Sequence, residues 1–249
     1  MKEHGTDRPI TKKQVSDLCA GVTGEILSFV QNLNFEQAKW LFSHKAQLAN
    51  AIRDAIRAMA GNFGDSPDYL IWWQNFYREE GIEIDFRTFE IPEKPYGDWW
   101  LILVAHGMTY NKVIQALRKK LEAWLYTKDL DAAINPNKEQ RRAIYKPYAI
   151  WVQAKPEADL KLTNKSASDF GDMPGVTLLE RLLLEVFYYC FVATGKHLDL
   201  QNITLCLGSR YNDGNVPGVN FCSSGDEVDI GDYRPEGRHE NVHSRQVVF

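Results

Sequence analysis

The sequence predicts an α+β fold: a mainly helical region over 1–146 followed by an α+β domain over 147–249. Three observations predict it. Apolar residues recur at helical spacing through 11–60, a strong amphipathic segment fills 177–194, and short strand and turn signals alternate from Ile203 to Phe249.

Leu18, Val22, Ile26, Phe29 and Val30 make the first helical stripe, interrupted by Gly21 and Gly24. Ala38, Leu41, Phe42, Ala49, Ile52, Ile56 and Met59 make the second, ended by Gly61 and Gly64. Ser66-Pro67 reads as an N-cap with Pro at the first helical position, opening a short helix that stops at Gly81. Ile82, Ile84 and Phe86 alternate with Glu83, Asp85 and Arg87, which predicts a half-buried strand over 82–91. Residues 99–104 form a continuous apolar run and predict a buried strand. Val113, Ile114, Leu117, Leu121 and Leu125 predict a helix over 109–126. Residues 127–146 are polar and contain the turn signal Asn135-Pro136, so a loop or boundary is expected there. A strand at 148–153 opens the second domain. Its main helix carries Leu178, Leu179, Leu182, Val186, Tyr189, Cys190 and Ala193 on a wide apolar face closed by Gly195. Strands at 203–207, 216–221, 227–230 and 244–249 complete it, and the first and last strands are placed to pair.

The 249 residues are 44% apolar, 25% charged and 12% aromatic, which fits an ordinary folded soluble protein and excludes disordered, collagenous and coiled-coil classes. Cys19, Cys190, Cys206 and Cys222 are too far apart for a zinc knuckle or a disulfide framework, and imply a reducing setting. Met1 to Val15 has positive charge with no apolar run behind it, so a cytoplasmic protein without signal peptide or membrane partner is expected. The net charge of −4 is uneven: 1–146 carries 20 basic and 19 acidic groups, 147–249 carries 9 and 14.

Several short motifs invite chemistry. His239-Glu240-Asn241-Val242-His243 fits HExxH, in which two His four apart on a helix bind zinc and the Glu acts as general base. Here the segment follows Pro235 and Gly237, lacks apolar flanks, and has six residues after His243 for a third ligand. A zinc-dependent hydrolase using His239, Glu240 and His243 is therefore the alternative reading. Asp213, Asp226, Asp229 and Asp232 could offer oxygens to calcium, but they lack EF-hand order, and Asx turns account for them better. His106-Gly107 follows a strand without GxSxG, GxGxxG or a P-loop. Asp169-Phe170-Gly171 has no kinase context. Arg118-Lys119-Lys120 and Arg141-Arg142 are weak basic patches. A DNA-associated helical module is a third reading, against which the nearly neutral body argues.

The tail is compositionally biased. The last Lys is Lys196, the last Met is Met173 and the last Trp is Trp151, and 208–237 holds six of the 17 Gly. Over 220–242 (NFCSSGDEVDIGDYRPEGRHENV), every residue except Glu227, Glu236 and Glu240 is reachable from an AAC or AAT codon by substitution at its adenines. In this the tail resembles the variable proteins of diversity-generating retroelements, whose C-terminal region is rewritten at adenines, commonly on a C-type-lectin-like fold. The order of elements over 147–249 also looks like that fold. The frame Gly195-Lys196-His197-Leu198-Asp199, Ile203-Thr204-Leu205-Cys206, Gly208-Ser209-Arg210-Tyr211, Asp213-Gly214 and Val216-Pro217 is similar to a group of bacterial proteins with differing tails. The Trp-Arg-Gly-Gly and Gly-Phe-Arg signatures of many such domains are absent, with Ser244-Arg245 near the position of the latter.

The resemblance implies a binding protein without cofactor or metal, displaying a hypervariable surface to a protein or other macromolecular ligand. The implied contact residues are Asn220, Phe221, Cys222, Ser223, Ser224, Asp226, Asp229, Asp232, Tyr233, Arg234, Arg238, His239, Asn241 and His243. Such a Tyr-, Asn-, Ser- and Asp-rich surface combines rigid aromatic contact with adaptable hydrogen bonding, as in a paratope. Strand alternation turns Val228 and Ile230 inward and Asp229 and Gly231 outward. Replacing Tyr233, Arg234 and His239 by Ala is expected to spare stability and abolish binding.

Overall fold

The computed structural model describes residues 33–44, 66–159, 165–171 and 173–249. The chain divides into two compact units, Met1–Gly64 and Asp65–Phe249. In the first, helix α1 (Phe35–Ser43) opens on a reciprocal exchange: Asn34 Oδ1 accepts from the Gln37 N–H at 2.9 Å and Gln37 Oε1 from the Asn34 N–H at 3.0 Å. The stripe expected over 18–30 and the helix expected beyond His44 lie outside the described residues.

The second unit is α+β, built on two sheets. Helix α2 (Ser66–Glu79) begins on the Ser-Pro pair and gives way at Gly81, whose φ of +71° suits glycine at a helix C-terminus. Strand β1 (Trp99–Val104) is the continuous apolar run and is almost entirely buried. It is an edge strand, and α2 covers the edge: Trp73 Nε1 donates to the Leu101 carbonyl at 3.0 Å and the Tyr77 hydroxyl to the Leu103 carbonyl at 2.6 Å. Two buried carbonyls that would otherwise lack partners are thereby satisfied.

Between these elements the expected strand over 82–91 is absent. Ile82 is buried and Glu83, Asp85 and Arg87 are exposed, so the alternation of burial is real, but no neighbouring strand pairs with it. Instead the Asp85 carboxylate accepts the Arg87 N–H at 3.0 Å and bends the chain into a 3-10 turn over Phe86–Thr88.

Helix α3 (Tyr110–Arg118) starts as expected, with Thr109 as N-cap, but stops eight residues short of the expected 126. Residues Glu122–Leu125 form strand β2, which pairs in parallel with a strand from the far end of the chain. The polar stretch over 127–146 is fastened down: it holds a short helix α4 (Leu130–Ala133) and a 3-10 turn capped by Asn135. The Asn135 and Gln140 amides donate to the Arg210 and Gly208 carbonyls, at 2.8 and 2.9 Å. Arg141 grips the Glu180 carboxylate through two hydrogen bonds of 2.8 Å.

Strand β3 (Tyr148–Gln153) lies between β1 and β8 (Val247–Val248), antiparallel to both. The pairs Trp151↔Val248 and Val152↔Val247 join the two ends of the expected second domain. Helix α5 (Leu178–Phe187), which continues as a π-helical turn over Tyr188–Val192, is buried on every side. Its capping box pairs Thr177 with Glu180. The second sheet has the order β2-β6-β5-β4-β7, where β4 is Ile203–Leu205, β5 Val216–Cys222, β6 Glu227–Tyr233 and β7 Val242–Ser244. The expected closing strand over 244–249 is thus two strands in two sheets, with Arg245 and Gln246 crossing between them.

The boundary expected at 146/147 is not a division of this structure. β1 pairs with β3 and β2 with β6 across it, and the described residues of 1–146 contribute two strands beside their helices. The division falls instead between Gly64 and Asp65.

At the crossing lies a buried ionic network. Asp199 Oδ1 accepts from Arg245 at 2.6 Å and from the Ala158 N–H at 2.9 Å, and its Oδ2 from Arg181 Nε at 3.0 Å. Arg181 also pairs with Glu185 at 2.8 Å, and Arg245 donates to the Lys155 and Pro156 carbonyls. All four charged side chains are at most 2% exposed. Asp199 sits at φ +53°, a left-handed conformation that Asp tolerates better than most residues.

Candidate functional site

The expected contact residues form two outward groups, with Phe221, Asp232, Tyr233 and His243 outside both. β5 and β6 form an antiparallel hairpin in the register Val219↔Ile230, Asn220↔Asp229 and Phe221↔Val228. Val219, Phe221, Val228 and Ile230 face the core, as strand alternation requires. Phe221 is therefore no surface residue: it is 7% exposed and stacks on His197 with ring centroids 3.6 Å apart.

Asn220, Cys222, Ser223, Ser224, Asp226 and Asp229 make the first outward group, at the hairpin tip and its open face. Burial and the nearby Glu227 raise the Asp229 carboxyl above its ordinary value, and its Oδ1 is buried without a hydrogen-bond partner. The Ser224 hydroxyl and the Gly225 amide hold the Cys222 thiol below its ordinary value. Trp124 of β2 stands opposite Asp229 in the ladder and is 49% exposed, with Tyr126 46% exposed beyond it. Both aromatics extend this face. The helix expected over 109–126 hides them, because helical and strand spacing make the same apolar residues look alike over so short a run.

Arg234, Arg238, His239 and Asn241 make the second outward group, on the exposed loop after β6. Arg238 is tied to Asp169 at 2.7 Å. Tyr233 and Asp232 stand between the groups with structural work of their own. The Tyr233 ring lies across Gly218, where a Cβ would come within 2.3 Å of it, and packs on a small cluster with Phe170, Leu205, Val216 and Val242. Asp232 accepts a hydrogen bond from Asn215 at 2.9 Å. The expectation that Tyr233 can be removed freely is thereby corrected. Tyr233→Ala is expected to cost about 1–3 kcal/mol, while Arg234→Ala and His239→Ala stay within about 0.5 kcal/mol of wild type, all by thermal unfolding.

His243 belongs to neither group. It is 3% exposed in β7, and its Nε2 lies 3.1 Å from the Glu240 carbonyl. His239 is in the preceding loop, so the pair never shares a helix face and the geometry HExxH depends on is not formed. Among the described residues, no three His, Cys, Asp or Glu side chains form a group able to hold a metal ion. No family model, curated protein or solved structure matches the chain.

The other motifs resolve locally. Asp213 accepts the Asn215 N–H at 2.9 Å, an Asx turn. Asp169 closes a capping box with Ser166. In the basic run, Arg118 donates to the Ala123 carbonyl at 2.9 Å and Lys119 pairs with Glu80 at 2.7 Å. Among the described residues, Cys190, Cys206 and Cys222 are free thiols, and no helix is long and apolar enough to cross a membrane.

One feature has no counterpart in the motifs. A pocket of about 460 Å³ lies between the loop after β1, the start of α3 and the segment over 131–144, with Leu179 of α5 also on its wall. His106 is at its exposed rim. On its wall the Tyr110 hydroxyl donates to Glu139 Oε2 at 2.5 Å, while Glu139 Oε1 is buried without a partner. Burial pushes the Glu139 carboxyl up to about 7, against the lowering effect of the Ser209 and Tyr110 hydroxyls.

Proposed function

We propose that this chain is a ligand-binding display protein, a variable protein of a diversity-generating retroelement on a C-type-lectin-like fold, whose ligand is a protein. The observation that carries the reading is the adenine-reachable composition of 220–242 falling on a hairpin whose inward side chains are core and whose outward ones are polar. Such a layout lets the outward set change while Val219, Val228 and Ile230 hold the frame. The pairing of β3 with β8 supports the lectin-like arrangement. So does the burial of Arg245, near the position where many such domains carry Gly-Phe-Arg, in the network that locks the crossing between sheets. Trp124 and Tyr126, which lie outside the biased tail, supply fixed aromatic area beside the changing residues, the combination a paratope uses.

The decisive test is the nucleotide sequence around the gene. A near-copy of the tail differing only at adenines, beside a reverse transcriptase, is expected; a locus lacking both sinks the reading. In protein terms, Arg234→Ala with His239→Ala is expected to abolish capture of the ligand at unchanged melting temperature.

A further inference from the structure

We infer that the outward face of β2, β6 and β5 docks an arginine-bearing segment of the protein ligand, with the guanidinium lying on the Trp124 ring among the carboxylates around it. This names the partner chemistry of the display reading and rests on it, since the hairpin is the same one.

Register fixes what the face presents. Glu122, Trp124 and Tyr126 alternate outward from Ala123 and Leu125, which pack on the core. Across the three strands one row is Glu122, Glu227 and Cys222, and the next is Trp124, Asp229 and Asn220. Trp124 is 49% exposed on the edge strand of this sheet. Among the described residues its ring meets neither another ring nor a cation, and its indole N–H has no acceptor. Tryptophan is among the residues that dominate binding energy at interfaces, and this one has no work inside its own chain.

The charge around it is unbalanced. Glu122 and Glu227 stand directly opposite in the parallel register, on strands about 4.8 Å apart, where like charges are destabilising. Asp229 follows on the same face, and Asp226 stands exposed at the hairpin tip. Among the described residues, no ion pair reaches any of these carboxylates. Arg118, the cation next to the edge, donates instead to the Ala123 carbonyl at 2.9 Å. The isolated chain therefore keeps a repulsion that a partner's cation relieves, and the cation has an aromatic face to lie on. Arginine fits best: its planar guanidinium stacks on an indole, its fork reaches two carboxylates, and it sheds water more readily than an ammonium. A metal ion would leave Trp124 unused, and these carboxylates form no group able to hold one.

The test uses the full chain and an amidated arginine-glycine repeat peptide, with citrulline in place of arginine as the neutral counterpart. NMR shifts of the Trp124 indole N–H and of the Trp124, Glu227 and Asp229 amides are followed. Saturable shifts with the arginine peptide, weaker at higher salt, and far smaller ones with citrulline are expected. Trp124→Ala weakens binding about fivefold, the worth of one exposed cation–π contact. Glu227→Gln weakens it about threefold without lowering the melting temperature, since it also removes a like-charge pair. Glu83→Gln, which removes the same charge away from this face, keeps the affinity. Equal response to citrulline, undiminished binding in both face variants, an equal loss in Glu83→Gln, or the same shifts from calcium alone or from raising the protein concentration alone each overturns the inference. A gene locus without the near-copy sinks the retroelement reading and leaves the measured arginine binding in place, whereas equal response to citrulline sinks the arginine partner and leaves that reading to its own test.

Discussion

Asp199→Asn is expected to lower the melting temperature by about 10 °C or more, the consequence of about 3–5 kcal/mol lost. The substitution keeps size, and Asn accepts the left-handed backbone at φ +53°, so the change isolates charge. Asp199 is the shared anion of Arg181 and Arg245. Without it, two guanidiniums at most 2% exposed are left with Glu185 alone, and an uncompensated buried cation is far costlier than the pair was favourable. Adding Arg245→Met to Asp199→Asn is therefore expected to recover part of the loss, because it removes the stranded charge and leaves Arg181 balanced by Glu185. Thermal unfolding of the two variants measures both effects. A loss under about 2 °C for the single change would mean that water enters this network and that the crossing between the sheets is held by packing alone.

The elements legible in the sequence are those whose own residues decide them. β1 and β3 occupy the expected residues because a run such as Trp99-Trp100-Leu101-Ile102-Leu103-Val104 has no alternative to burial on both faces. Helix α5 carries its cap, its apolar face and its terminating glycine in one continuous segment. What was not legible depends on partners far along the chain. Leu121 and Leu125 fit a helix that continues α3, yet Ala123 pairs with Val228 more than a hundred residues later, and that pairing decides for a strand. Ile82 and Ile84 alternate correctly and remain unpaired because no strand lies beside them.

The site was legible in the same measure. Outward Asp229 and inward Val228 follow from parity within one strand. The inward turn of Phe221 follows from the same parity, two residues after Val219 in β5, whereas the role of Tyr233 follows only from the bare backbone of Gly218 beneath it. Glu139 carries no motif. Its place beside Tyr110 arises because the stretch over 127–146 folds back onto the 208–210 backbone, and a polar sequence containing Asn-Pro does not announce that.

That same stretch decides the largest expected effect. A fragment spanning 147–249, the domain the composition suggests, is expected not to fold, whereas 65–249 is expected to unfold cooperatively. Removing the earlier residues takes away Trp73, Tyr77, Leu101, Ile102, Leu103, Val104, Val113, Leu117 and Leu130, none more than 1% exposed. At about 1.5–3 kcal/mol per fully buried side chain, the loss is as large as or larger than the about 5–15 kcal/mol by which a typical protein is stable. The deficit is not only apolar. β3 loses its neighbour along the whole register from Tyr148 to Gln153, β6 loses β2, and Glu180, wholly buried, loses the guanidinium that neutralises it. An edge opened along β3 is also a template for aggregation, so the short fragment is expected in the insoluble fraction. Circular dichroism with thermal melting of the two fragments measures the difference. A cooperative transition in 147–249 alone would restore the boundary at 146/147 and make β1 and β2 an accessory layer, in which case the Glu139 pocket, whose walls come mostly from the earlier residues, would belong to a separate domain.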